Sequence, residues 1–142
     1  MGYTIGKGTI IYHPELSTFC EGVVFGERCK VHSHCWFGKN VKIGNDVMIQ
    51  AFTFIPEWVE IEDNVFIGPH VCFTNDVRPP SFGKHWGKTL VKKGAVIGAG
   101  TKILAGVVIG ENSIVGMGSV VLHNVPDNET VVGNPAKVLT RR

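Results

Sequence analysis

The sequence predicts an all-β fold, a three-sided parallel β-solenoid, and three observations carry that prediction. Large apolar residues recur at a strict interval of six. Four positions beyond each of them stands a small or β-branched residue, as at Cys29, Cys35, Val41, Val47 and Thr53. Glycine supplies 18 of the 142 residues, well above the ~7% of ordinary chains, and it often directly follows the large apolar position.

The first run of the repeat starts at Phe25 and steps through Val31, Phe37, Ile43, Ile49, Ile55, Ile61, Ile67 and Phe73. A second run starts at Val91 and steps through Ile97, Ile103, Ile109, Val115 and Val121. Neither the 3.6-residue period of a helix nor the period of two in a plain strand gives a strict six. A short strand followed by a turn does. The large residue points inward, the smaller one fills the adjacent interior, and the glycine is expected to help the chain round the corner. Three such sides make a coil of 18 residues, and the coils stack ~4.8 Å apart through backbone pairing. Length makes residues 1–142 a single domain.

Between Phe73 and Val91 the repeat stops. Pro79, Pro80, Gly83 and Gly87 stand among Phe82, His85 and Trp86. Proline cannot donate a ladder hydrogen bond, so a loop near residues 78–90 is expected to leave the prism at a corner. Phe82 and Trp86 are too apolar to be left in solvent and should pack on a ligand or a neighbouring subunit. The spacing leaves open whether Val91 resumes on the next side or completes a coil.

Composition excludes several function classes. No run approaches the ~20 apolar residues that span a bilayer, so no membrane association is expected. The N-terminus MGYTIGKGTI lacks the charged and apolar regions of a secretory signal, and Gly6 stands where a myristoylation motif needs Ser or Thr. A net charge of +2 is too small to argue for a nucleic-acid partner. Cys20, Cys29, Cys35 and Cys72 have no CxxC spacing; Cys29 and Cys35 fall on small-residue positions of the repeat, which predicts buried free thiols and a reducing, cytoplasmic location.

The hexad pattern resembles that of the left-handed parallel β-helix proteins, and the left hand is an implication of that resemblance, since the general crossover rule favours the right hand. The run EDNVFIGPHVCFTNDVRPP, the restart VKKGAVIGAGTKILAGVVIG and the terminal GNPAKVL lie within residues 62–139. Together they resemble the hexapeptide N-acyltransferases that acylate an amino group on a nucleotide-linked sugar, in particular a 3-amino sugar joined to UDP or dTDP. The resemblance implies acetyl-CoA as cosubstrate, no metal, and a homotrimer with its sites between subunits.

Acyl transfer from a thioester to an amine needs the two reactants held in line, an oxyanion donor and a destination for a proton. On residue types alone, an Asn-Asp pair before two prolines is turn chemistry. The resemblance instead gives Asn75 the place beside the amine and thioester, and Asp76 the task of holding the sugar. His70, five positions earlier at an outward site, is the candidate general base. His85 and Trp86 in the loop are candidate acceptor contacts. For acetyl-CoA the resemblance points to Gly98, Ala99, Ala105, Gly116 and Gly118 along the pantetheine path. Lys102, Lys137 and Arg141 are the cations available for its phosphates.

Three other functions fit the repeat. Zinc hydration chemistry needs ligands converging at ~2 Å, whereas His34 and His70 lie two coils apart with Phe52 between them. O-acetylation of a sugar or small hydroxylated acceptor places more weight on a histidine base. A non-catalytic scaffold predicts no acetyl-CoA binding.

Overall fold

In the computed structural model, which describes residues 2–140, the chain is a left-handed parallel β-helix. Its strands, mostly two residues long, form three sheets, one on each side of a triangular prism. The first sheet contains Tyr3–Ile5, Val23–Phe25, Lys42–Ile43, Glu60–Ile61, Leu90–Val91 and Val108–Ile109. The second starts at Ile10–Ile11 and rises through Lys30–Val31, Met48–Ile49, Phe66–Ile67, Val96–Ile97 and Ile114–Val115 to Thr130–Gly133. The third runs from Thr18–Phe19 through Trp36–Phe37, Phe54–Ile55, Cys72–Phe73 and Lys102–Ile103 to Val120–Val121.

The inward residues are those of the period-six pattern. Phe25, Phe37, Phe73, Ile49, Ile67, Ile97 and Ile103 are all buried. Burying one such side chain contributes roughly 1.5–3 kcal/mol, so a column of them supplies the main stabilising term. The small positions complete the core. Cys29 and Cys35 are buried free thiols, as expected, and the buried hydroxyls of Thr53, Thr101 and Ser113 donate to the carbonyls of Gln50, Gly98 and Gly110.

The glycine that often follows the aliphatic has a different task from the one expected. Left-handed backbone occurs two positions later, at residues such as Arg28 (φ 56°), His70 (φ 59°) and Gly118 (φ 72°). The glycine is needed because coils stack too closely for a side chain: a Cβ on Gly98 would lie 2.5 Å from the backbone nitrogen of Met117. Register at another corner is pinned by side chains capping the coil below. Asn45 Oδ1 accepts from the Glu27 amide at 2.8 Å, and Asp63 Oδ1 accepts from the Asn45 amide at 2.7 Å.

A coil precedes Phe25. Ile11 follows Ile5 by six, but Phe19 follows Ile11 by eight, the extra two taken up by a short 3-10 turn at Pro14–Leu16. That shift hides the first coil from a step of six. At the other end, Thr130–Gly133 turns back through Asn134 and Pro135 to pair antiparallel with Ala136–Val138. The GNPA motif is therefore the turn of a terminal hairpin.

The excursion leaves at the corner between the third and first sides. Phe73 ends a strand of the third sheet and Val91 belongs to the first, so Val91 resumes on the next side. Both feet of the loop are clamped by threonine hydroxyls to consecutive amides of the coil above. Thr74 Oγ1 accepts from the Ala105 amide at 3.1 Å, and Thr89 Oγ1 accepts from the Gly106 amide at 3.1 Å. No helix among the described residues is long and apolar enough to cross a membrane.

Candidate functional site

The loop is a compact hairpin. Gly87 donates its amide to the Asn75 carbonyl at 2.8 Å, Val77 donates to the His85 carbonyl at 3.1 Å, and Asp76 faces Trp86 as a backbone bridge. The Asp76 carboxylate organises the interior: Oδ1 accepts from the Arg78 amide at 3.0 Å and Oδ2 from the Ser81 amide at 2.7 Å. Partial desolvation is the largest single influence on this carboxyl and raises its pKa. The hydrogen bonds from Ser81 and Arg78, with the nearby His85, together outweigh it and hold the group below the ordinary aspartate range. Ser81 is buried, and its hydroxyl accepts from the His85 amide at 3.0 Å.

Asn75 differs from its neighbour. It is half-buried at the mouth of the loop, and no hydrogen bond ties its side-chain amide to the described residues. A carboxamide fixed by its backbone but free at its tip can accept from an amine and donate to an oxyanion. His85 and Trp86 lie on the same hairpin, both exposed. Phe82 at its tip is 90% exposed, so within one chain it packs on nothing.

Ala105 lies on the coil above this corner, tied to it through Thr74. A shallow groove of 150 Å³ opens next to it on the third side, lined by Thr74, Lys102, Leu104, Val120 and Leu122. Lys102 crosses the middle of this side, its Nζ donating to the Gly100 carbonyl at 2.6 Å. Cys72 is the thiol on the row of side chains pointing out of the third sheet. Burial pushes its thiol pKa up despite the neighbouring Lys102, so it is protonated at neutral pH and a poor acyl acceptor. A wider groove of 440 Å³ crosses the first side between Lys42 and Lys93, but it does not include Asn75, and Glu60, Glu62 and Asp63 outnumber its two lysines, which suits an anionic ligand poorly.

The other predicted residues gather at the opposite edge of the third side. His70 is exposed on the corner shared with the second side, five residues from Asn75 and on the order of 15 Å away at ~3.3 Å per residue. Its ring stacks on Phe52 at 5.0 Å, and Phe52 stacks on His34 at 4.8 Å, the order the sequence implies. Gly98, Ala99, Gly116 and Gly118 continue this corner upward. Gly98 and Gly116 are accounted for by close stacking, since a Cβ on Gly116 would meet Val132 at 2.6 Å. Gly118 and Gly100, by contrast, face open space. Lys137 stands apart in the terminal hairpin, paired with Val132, and Arg141 lies outside the described residues.

One chain therefore brings Asn75, Asp76, His85, Trp86 and Ala105 together at one edge. It brings His70, Gly98, Ala99 and Gly118 together at the other, with Lys102 between them. Thr74, Leu104 and Leu122 were not legible as lining residues from the sequence. The available signal was their place in the 18-residue register around the loop, since Leu104 and Leu122 repeat one corner position.

Residues 40–75 and 88–123 match the family described as bacterial transferase hexapeptide (six repeats). Among individual relatives, the chain is 41% identical over 101 residues to the serine acetyltransferase of Buchnera aphidicola, covering 70% of this chain and 36% of that protein. It is 52% identical over 60 residues to the dTDP-3-amino-3,6-dideoxy-alpha-D-galactopyranose 3-N-acetyltransferase of Aneurinibacillus thermoaerophilus, covering 42% of this chain and 29% of that one. The chain thus spans about a third of the length of these relatives. In fold it is similar to a GDP-perosamine N-acetyltransferase from Caulobacter crescentus solved with CoA and GDP-perosamine. The TM-score is 0.82 at 24% identity, over 95% of this chain and 58% of that one. A Bacillus cereus N-acyltransferase solved with dTDP and coenzyme A gives a TM-score of 0.81 at 24% identity, over 97% of this chain and 83% of that one.

Proposed function

Because the chain belongs to the bacterial hexapeptide transferase family, we propose that it is an acyl-CoA-dependent N-acetyltransferase acting on the amino group of a nucleotide-linked amino-deoxy sugar. The observation that carries this reading is the loop mouth. Asp76 is committed to holding the hairpin, while the adjacent Asn75 presents a free carboxamide beside a groove that contains Lys102. The similarity to a dTDP-amino-sugar N-acetyltransferase supports the choice of acceptor.

The reaction is direct attack within a ternary complex, consistent with the protonated Cys72 being unfit to form an acyl-enzyme. The neutral amine attacks the thioester carbonyl, the N–C bond forms and the C–S bond breaks. The amine proton passes by way of a base or water to the leaving sulfur, giving an amide and free CoA thiol. Asn75 accepts from the amine and aims its lone pair. Gly100 and Gly118 leave room for pantetheine, and Lys102 offers charge for phosphate. His70 acts as base on an amine at Asn75 only where a neighbouring copy supplies one of the two, an arrangement that the homotrimer implied by the resemblance would provide.

A second reading is O-acetylation, favoured by the longer stretch of identity with a serine acetyltransferase. The two are separated by thiol release from acetyl-CoA against a panel of UDP-, dTDP- and GDP-linked amino sugars, with serine and simple sugars alongside. Turnover with a hydroxyl acceptor and none with any amine sinks the N-acyl reading. Turnover with neither class, together with no acetyl-CoA binding, leaves only the scaffold.

A further inference from the structure

The outward row of the third sheet has a feature that the acyl-transfer chemistry does not use. Below Cys72 it presents Phe54 and then Trp36, whose rings lie 6.3 Å apart and within 21° of parallel. Beside this pair runs the column of His34 and Phe52, 4.8 Å apart and within 14° of parallel. Between the two columns lies a groove of 380 Å³. All four rings reach solvent: Trp36 is 43% exposed, Phe52 51% and Phe54 41%. The register places Trp36 opposite Phe54 and Phe54 opposite Cys72, so the groove lies one to two coils, about 5–10 Å, below the row of the acyl-transfer site.

We infer that this aromatic groove binds the planar base of the nucleotide carried by the acceptor. The inference rests on the function proposed above and adds where the nucleotide lies. Two arguments support a ring-bearing anion over a purely apolar occupant. The rings of each column lie against one another and so turn their edges to the groove, and edge-to-face contact with a planar base is tolerant of base identity because every base has a π-face. Charge on this side also fits. From the second coil upward, neither the outward row nor the corner beside it carries a carboxylate to repel an anion, and His34 and His70 stand along that corner as hydrogen-bonding rings. A nucleoside diphosphate offers both a planar ring and negative charge, and its extended diphosphate and ribose let the base lie across the third side and down the prism from the sugar. The acceptor then lies down the prism from the loop, and the acyl donor lies up it, along Gly100 and Gly118.

Titration calorimetry of the full chain with dTDP, UDP and GDP, with inorganic pyrophosphate as the ring-free control, tests this without any acyl transfer. Phe54→Ala and Trp36→Ala are expected to weaken each nucleoside diphosphate about tenfold while leaving pyrophosphate binding unchanged. Phe54→Leu, which keeps an apolar side chain but no ring, should weaken binding nearly as much and covers the case in which the alanine variant folds poorly. Nucleotide affinity that is the same in folded Phe54→Leu and the original chain overturns the inference. So does a change in the mass of the assembly with nucleotide affinity untouched, which would make the groove a contact between copies. Nucleotide binding that depends on Phe54, with no amine in the panel acetylated, keeps this site and removes the proposed reaction. Acetylation of a nucleotide sugar with KM unchanged in Phe54→Leu keeps the reaction and removes this site.

Discussion

Asn75 and Asp76 are adjacent, polar and similar in size, yet the fold gives them different work. Asp76 caps two amides of its own loop, whereas Asn75 holds its side chain free. Asn75→Ala is therefore expected to lower kcat by about 100-fold, the scale of losing one group that polarises the reacting atoms, with little change in thermal stability. Steady-state kinetics beside a melting curve measures both. Asp76→Asn should act through the loop instead. Its folded-state pKa is depressed, so the stabilisation it gives is complete above the unfolded value and is lost as pH falls through the folded one. Amide exchange of Val77–Trp86 is expected to rise in the variant at neutral pH, and in the unmodified chain only in acid below the ordinary aspartate range. Sequence alone made this pair visible as the place where the period fails. It could not divide the roles, because that division depends on which amides the loop turns toward the carboxylate.

At the level of the single hexad, the inward residues from Phe25 to Val121 were legible, since a strict six is a direct imprint of one side of the prism. The corner was less so. Glycine after the aliphatic suggested backbone freedom, but the left-handed position falls later and accepts Arg28, His34, Phe52 and His70 as well as glycine. The distinction yields a paired prediction. Gly98→Ala pushes a Cβ against the next coil and should cost about 1–3 kcal/mol. Gly118→Ala meets no atom within 4 Å and should cost only the backbone strain, about 1 kcal/mol. Chemical denaturation of the two variants is expected to rank them in that order, and the reverse order would remove close stacking as the reason for the glycines.

Across the whole molecule, the sequence showed the core but not the outside. The residue before each inward aliphatic points outward, and reading it every 18 residues rather than every six separates the three sides. One column reads Trp36, Phe54, Cys72, Lys102 and Val120; another reads Met48, Phe66, Val96 and Ile114. The separation needs the location of the twelve-residue excess in the loop, which a step of six does not supply. The first coil was hidden for the same reason, by the two extra residues before Phe19. The loop itself has a further consequence through its clamped feet. Thr74 and Thr89 reach consecutive amides, so the prism is closed beneath the excursion whatever the excursion contains. Replacing Val77–His85 with a short Gly-Ser linker is expected to leave the melting temperature within a few degrees and to abolish acetyl transfer, as calorimetry and thiol release would measure. The segment behaves as an exchangeable cassette. New acceptor preferences can be tried in it by insertion, deletion or wholesale swapping while the scaffold that must fold stays constant.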